Sequence, residues 1–238
     1  MRKILISGAS KGIGRAVALK LLEDGHSVSL GVREKENLIN TSLDPKLHNP
    51  KKLIVHKYDA LDKESSKKWV ESTAKTFNNI DTLIHCAGIL KRTNLIFKDN
   101  EMKDIEDLWK VNVMGPWILT KDAWKYLSSN NSGRIIVLVS MSGKRSKGSL
   151  AGYSMSKFAL MSICQTMRNE GWHKGIRVTA ICPGWVNTDM AKEINKFPKE
   201  AMTQPNDIAK LCSNLLELPN SSVPFEIAIN CQLETTNY

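Results

Sequence analysis

A strict alternation of short apolar runs and longer amphipathic stretches limits what this chain can become. Seven runs read as strands: Lys3 to Ser7, Ser27 to Val32, Leu53 to Tyr58, Thr82 to Cys86, Arg134 to Ser140, Ile176 to Cys182 and Phe225 to Ile229. Between them lie helical patterns at Gly12–Glu23, Ser65–Phe77, two near 102–111 and 113–128, then Tyr153–Glu170 and Asn206–Glu217. In the first, Ile13, Val17, Leu21 and Leu22 share one side. Strands alternating with helices in this way signal βαβ units and a parallel sheet. Unbroken Val/Ile/Leu strands say that both sheet faces are covered. No linker rich in Pro, Gly or Ser divides the 238 residues, and no internal repeat is present. The expected fold is α/β, one doubly wound domain over 1–238, with a mainly parallel seven-stranded sheet and helices on both faces. Ligands then belong at the carboxyl ends of the strands. The segments Asn40–Lys52, Lys144–Gly152 and the stretch from Met190 to Pro205 read as loops.

Several classes drop out. No apolar run approaches the ~18 residues of a membrane span, and the run Ile4-Leu5-Ile6 is too short for a signal-peptide core. Cys86, Cys164, Cys182, Cys212 and Cys231 are odd in number and form no C-x-x-C pair. Buried free thiols in a reducing compartment, the cytoplasm, fit better than zinc or disulfides. The net charge of +10 is spread from Lys3 to Lys210 without an Arg-rich segment. That pattern fits a solvated surface and an anionic ligand rather than nucleic acid.

The first strand runs into Gly8-Ala9-Ser10-Lys11-Gly12-Ile13-Gly14 and then a helix. Glycines let the backbone turn tightly and approach a pyrophosphate, and the helix N-terminus offers free N–H groups to it. The spacing G-x-x-x-G-x-G is neither G-x-G-x-x-G nor a P-loop. Such a turn also serves plain connectivity, but its place in the first βα unit favours the binding role. An NAD site usually sets a carboxylate at the end of the second strand. Here that strand ends Leu30-Gly31-Val32-Arg33. Lys11 and Arg33 are placed to meet a 2′-phosphate, so NADP(H) is the expected cofactor.

Tyr153 and Lys157 are four apart in a helical pattern and so share a face. A nearby ammonium lowers a phenol's pKa, which suits it to proton transfer. Ser140 ends an apolar strand, and Asn112 lies at a helix–helix junction. Each alone has an ordinary explanation in capping or local hydrogen bonding.

In order along the chain, these residues resemble the short-chain dehydrogenase/reductase family. The match comprises the glycine turn at 8–14, Asp59, Ala87-Gly88, Asn112, Ser140, Tyr153, Lys157 and Pro183-Gly184-Trp185-Val186-Asn187-Thr188. The resemblance implies a Rossmann-type fold and hydride transfer between NADPH and a carbonyl group: a ketone, aldehyde or 3-oxoacyl group. It implies that Tyr153 is the general acid, that Lys157 lowers its pKa and holds the nicotinamide ribose, and that Ser140 steadies the substrate oxygen. Asn112 would anchor a water that relays protons from Lys157. Gly8, Ser10, Gly12, Ile13 and Gly14 would line the phosphates, with Asp59 and Ala60 beside the adenine. Cys86, Ala87 and Gly88 would line the cleft, and Pro183, Gly184, Val186 and Thr188 would position the carboxamide. The helices around 113–128 and 153–170 resemble those that pair into homodimers and homotetramers in this family. Core burial explains their Trp117, Trp124, Phe158 and Met161 equally well.

Two departures stand out. His85-Cys86 replaces the family's frequent Asn-Asn, which leaves backbone groups to support the cleft. No Gly-Gly follows the last strand, where the chain reads Ile229-Asn230-Cys231-Gln232-Leu233-Glu234. The resemblance makes residues 185–204 a substrate-closing segment. The basic run Lys144-Arg145-Ser146-Lys147 should rim the pocket, either as a solvated loop or as an attractor for an anionic or carrier-bound substrate. Two other readings are an NAD-dependent alcohol dehydrogenase and a non-catalytic NADP(H)-sensing regulator. The intact Asn112, Ser140, Tyr153 and Lys157 argue against the regulator.

Overall fold

A computed structural model describes residues 1–194 and 197–232. Seven strands form one parallel sheet in the order β3-β2-β1-β4-β5-β6-β7. They are β1 Lys3–Ser7, β2 Ser27–Val32, β3 Leu53–Lys57, β4 Thr82–His85, β5 Arg134–Leu138, β6 Arg177–Pro183 and β7 Glu226–Ile229. The helices are α1 Gly12–Glu23, α2 Lys63–Phe77, α3 Met102–Trp109, α4 Gly115–Leu127, α5 Ala151–Gly171 and α6 Pro205–Glu217.

Side chains alternate across a strand, so each apolar run feeds two cores. Ile4 and Ile6 face α1 and α6, together with Val28, Ile84 and Ile136. Leu5 faces the other way, with Leu83, Ile135 and Val137, among residues of α2, α4 and α5. Each such side chain contributes roughly 1.5–3 kcal/mol by leaving water. The chain order reverses beside β1, whose neighbours are β2 and β4. Diverging connections there open a crevice at the strands' carboxyl ends.

The structure adjusts several sequence-based boundaries. The expected break between two helices near residue 112 is a π-turn, Lys110–Met114, that joins α3 to α4. Strand β5 stops at Leu138, two residues before Ser140. Helix α5 starts at Ala151, where Thr93 supplies the cap: its carbonyl accepts from the Ala151 N–H at 2.9 Å and its Oγ1 from the Gly152 N–H at 2.9 Å. On β2, a Cβ at Gly31 would stand 2.5 Å from the Trp69 ring. The glycine thus lets α2 lie close to the sheet, with the Trp69 indole N–H donating to Ser29 at 2.8 Å.

Candidate active site

The glycine turn leaves β1 at Gly8, whose φ is +72°. A Cβ at Gly14 would fall 2.3 Å from the Gly8 carbonyl oxygen, so α1 packs directly on the turn. No side chain caps α1, and no acidic residue occupies its first turn. Its leading N–H groups and positive dipole end therefore face the crevice.

The resulting cleft has a volume of about 620 Å³. Gly8, Ser10, Lys11, Gly12, Ile13, Gly14, Arg33, Asp59, Ala60, Cys86, Ala87, Gly88 and Thr188 all line it. These residues fit a dinucleotide: the turn is bare where a side chain would fill it, and the helix end is free of acid. Arg33 is exposed at one end of the cleft. Lys11 also lines it, but its ammonium is turned to Asp189 at 3.1 Å. That exposed pair is worth little, so an anion can compete for the lysine. The Asp59 carboxylate accepts from the Leu61 N–H at 3.0 Å, which shapes the loop after β3.

The His85-Cys86 departure leaves the wall intact. The Cys86 N–H donates to the Ser7 carbonyl at 3.2 Å, and the Ala87 N–H donates to Ser7 Oγ at 3.3 Å. His85 is buried, with Nε2 at 2.9 Å from Thr120 Oγ1. Burial pushes its pKa down from 6.5 to about 3. Between those values the unfolded chain binds a proton that the folded chain refuses, so stability falls as pH drops through that window. His85→Asn should flatten the dependence of Tm on pH between about 6 and 4, where wild type loses on the order of a few kcal/mol. Thermal denaturation across that range is the measurement.

A second cavity of about 360 Å³ adjoins the cleft and shares Ile13, Cys86, Gly88, Ile89, Thr188 and Met190 with it. Ser140, Tyr153, Lys157, Pro183, Gly184 and Val186 line this cavity. Ser140 has φ +130°, a conformation that ordinary side chains rarely adopt. Strain of about 1–3 kcal/mol of this kind collects where geometry serves function. Its Oγ accepts from the Ser142 N–H at 3.1 Å, and the side chain stands beside Tyr153, whose pKa it lowers.

Tyr153 and Lys157 are only 6% and 5% exposed. The Lys157 ammonium stands 5.8 Å from the Tyr153 ring centre and donates to the Leu138 carbonyl at 3.1 Å. The expected lowering of the Tyr153 pKa needs correction. Burial pushes the phenol up, and the opposing, lowering contribution comes from Ser140. Burial lowers Lys157 to about 8.

Asn112 lines neither cavity. It is fully buried, and Nδ2 donates to the Ile89 carbonyl and to Ser156 Oγ, both at 3.0 Å. Oδ1 accepts from the Ile89 N–H at 2.9 Å. The side chain therefore ties the Gly88-Ile89 loop to α5, and its amide hydrogens are both spent.

Sequence reasoning missed other contributors. Asn230, Cys231 and Gln232, just past β7, line the catalytic cavity, as do Arg92 and Leu150. Residues 233–238, which include the expected Leu233-Glu234 end, lie outside the described residues. The basic run divides: Lys144 pairs with Glu226, whereas Arg145 and Lys147 line the cavity. No helix among the described residues is long and apolar enough to cross a membrane.

Comparison with known proteins gives a consistent picture. A family model described as short chain dehydrogenase matches residues 2–199. An agropine synthesis reductase from Rhizobium rhizogenes is 35% identical over 234 residues, 98% of this chain and 53% of that protein. The chain thus spans about half the length of such curated relatives. A 3-oxoacyl-acyl-carrier-protein reductase from Synechocystis sp. is 28% identical, covering 82% of this chain and 78% of its own. Among solved structures, the alcohol dehydrogenase of the archaeon Thermococcus sibiricus, complexed with 5-hydroxy-NADP, superposes with TM-score 0.86 at 25% identity, over 99% of this chain and 98% of that one. ElxO with NADP bound superposes with TM-score 0.84 at 25% identity, over 97% and 98%.

Proposed function

This chain belongs to the short-chain dehydrogenase/reductase family, and on that premise we propose that it reduces a carbonyl compound to an alcohol with NADPH. The observation that carries the reading is the buried Tyr153 phenol with Ser140 and Lys157 beside it, in a cavity opening onto the glycine cleft.

Gly8, Ser10, Gly12, Ile13 and Gly14 hold the cofactor's diphosphate against the α1 N-terminus, with Asp59 and Ala60 at the adenine. Pro183, Gly184, Val186 and Thr188 hold the carboxamide, beside Cys86, Ala87 and Gly88. When bound, the cofactor supplies the hydride. Tyr153 gives its hydroxyl proton to the substrate oxygen. A phenol whose pKa is raised by burial keeps that proton until a developing alkoxide takes it. Ser140 holds the substrate oxygen in place and shares its growing charge. At neutral pH Lys157, titrating at about 8, is still largely protonated, so it stabilises the phenolate that donation leaves behind. Asn112 positions α5 against the Gly88-Ile89 loop. The reading is tested by incubating the protein with NADPH and a panel of ketones, aldehydes and 3-oxoacyl thioesters. Alcohol formed in step with NADPH lost supports it; no turnover of any carbonyl counts against it.

NADPH over NADH is supported by Arg33, which is exposed and lines the cleft at the end of β2 while the next residue, Glu34, does not line it, and by the 5-hydroxy-NADP and NADP held by the two solved neighbours. Charge-assisted hydrogen bonds to a phosphate are worth ~1.5–3 kcal/mol. Arg33→Asp should therefore weaken NADPH roughly ten- to a hundredfold and strengthen NADH by bonding the ribose hydroxyl. Unchanged affinities in a fluorescence titration would mean that the 2′-phosphate is read elsewhere.

Residues 185–204 close over the substrate, although 195 and 196 lie outside the described residues. The two ends of this segment are pinned together, Thr203 N–H to the Trp185 carbonyl at 3.2 Å and Asn187 N–H to the Thr203 carbonyl at 3.0 Å. A second copy of the chain covers α4 and α5, in a homodimer or homotetramer. Trp117 and Phe158 are 55% and 45% exposed there, whereas Met161 is buried and Trp124 packs on the core. A solution mass of one chain contradicts this. The buried thiols of Cys164, Cys182 and Cys212 suit a reducing, cytoplasmic setting.

A further inference from the structure

An ion pair bridges the cofactor cleft. Lys11 comes from the glycine turn before α1, and Asp189 from the chain that leaves β6, yet both line the cleft. The Lys11 ammonium donates to the Asp189 carboxylate at 3.1 Å. The two segments also meet next door, where a Cβ at Gly12 would stand 3.4 Å from the Thr188 methyl. Asp59 is the other carboxylate lining the cleft among the described residues. It is turned to the Leu61 N–H at 3.0 Å. Asp189 is therefore the carboxylate that engages a cleft cation.

The pair can be exchanged without moving the backbone. The Lys11 carbonyl accepts from the Arg15 N–H at 3.3 Å, inside the first turn of α1. The Thr188 carbonyl accepts from the Ala191 N–H at 2.9 Å, and the Asp189 carbonyl from the Lys192 N–H at 3.2 Å. Each main chain is held by its own turn, and only two side chains need to swing. These are 70% and 73% exposed, and an ion pair so open to water is weak. A phosphate monoester offers the ammonium more charge and more acceptor oxygens than one carboxylate does.

We propose that Asp189 is a determinant of cofactor preference: it holds Lys11 until a 2′-phosphate takes the ammonium over. NADPH then breaks the pair, whereas NADH, which lacks that phosphate, leaves it in place. This rests on the NADPH reading above. Asp189 works against NADPH, because the phosphate gains Lys11 only by displacing a carboxylate. Removing the carboxylate sharpens the preference, and removing the lysine blunts it.

The test is a fluorescence titration of the full chain with NADPH and with NADH, in wild type, Asp189→Asn, Lys11→Gln and the double variant. Asparagine keeps the size of the side chain and loses its charge. Asp189→Asn should tighten NADPH about two- to fivefold and leave NADH close to wild type. Asp189→Glu, which keeps the charge, should stay near wild type. Lys11→Gln should weaken NADPH more than NADH, and adding Asp189→Asn to it should no longer shift the ratio of the two affinities. Thermal denaturation reports that each variant is folded. Unchanged affinities in Asp189→Asn overturn the proposal and leave the NADPH reading standing. Equal tightening of both cofactors also overturns it, because the carboxylate would then repel the shared diphosphate. Weaker binding of both overturns it too, since the pair would then be a clasp across any dinucleotide. Binding of neither cofactor by the wild type removes the NADPH reading, and the proposal with it.

Discussion

Replacing Tyr153 by Phe lowers kcat by ~10²–10⁴ while NADPH affinity stays close to that of the wild type. The substitution removes one oxygen and keeps the ring that packs at the base of α5. The lost hydroxyl belongs to a side chain that is 6% exposed and has Ser140 beside it. Ser140 keeps the Ser142 N–H as a partner at 3.1 Å, so its side chain stays anchored. The loss therefore falls on the chemical step and not on binding. Steady-state turnover beside a fluorescence titration separates the two. Retained turnover in the variant would remove Tyr153 from the proton transfer.

Gly8→Ala destabilises the fold far more than Gly12→Ala, although both glycines have positive φ, +72° and +56°. The left-handed backbone alone costs an L-residue roughly 1–2 kcal/mol. At Gly12 little else is in the way, since the nearest atom to an added Cβ is a Thr188 methyl at 3.4 Å. At Gly8 the added Cβ would lie 2.6 Å from the main-chain N and Cα of Ala87. That stretch cannot give, because Ser7 holds both Cys86 and Ala87 N–H groups. Overpacking of this kind adds about 1–3 kcal/mol. For a chain of this length 1 kcal/mol moves Tm by about 2–4 °C. Gly8→Ala should lower Tm by about 6–15 °C and Gly12→Ala by about half of that or less. Equal losses in thermal denaturation would mean that the turn can shift away from β4.

The strands were readable because residues buried on either face of a parallel sheet are mostly apolar, as Ile4, Leu5 and Ile6 are. The glycine turn and the Tyr153/Lys157 pair were readable because their geometry is local, set by φ and by helical spacing. What escaped was set by contacts between distant segments. Nothing near Thr93 announces that it caps α5. Nothing in Lys144-Arg145-Ser146-Lys147 tells which cation turns to Glu226 and which two enter the cavity. The direction of the Tyr153 shift also escaped: spacing places Lys157 on the same face, but only the fold gives its ammonium the Leu138 carbonyl. The π-turn at Lys110–Met114 is equally invisible, since its residues fit a regular helix.

Reduction by this chain requires a cofactor in the cleft at the β1–β4 reversal, and a fluorescence titration of the purified protein with NADPH and with NADH addresses that directly. Saturable binding of NADPH, clearly tighter than NADH, is the predicted result. Equal or NADH-favoured binding would contradict the role given to Arg33. Binding of neither would contradict the reading of the glycine turn itself, and with it the hydride chemistry built on Tyr153.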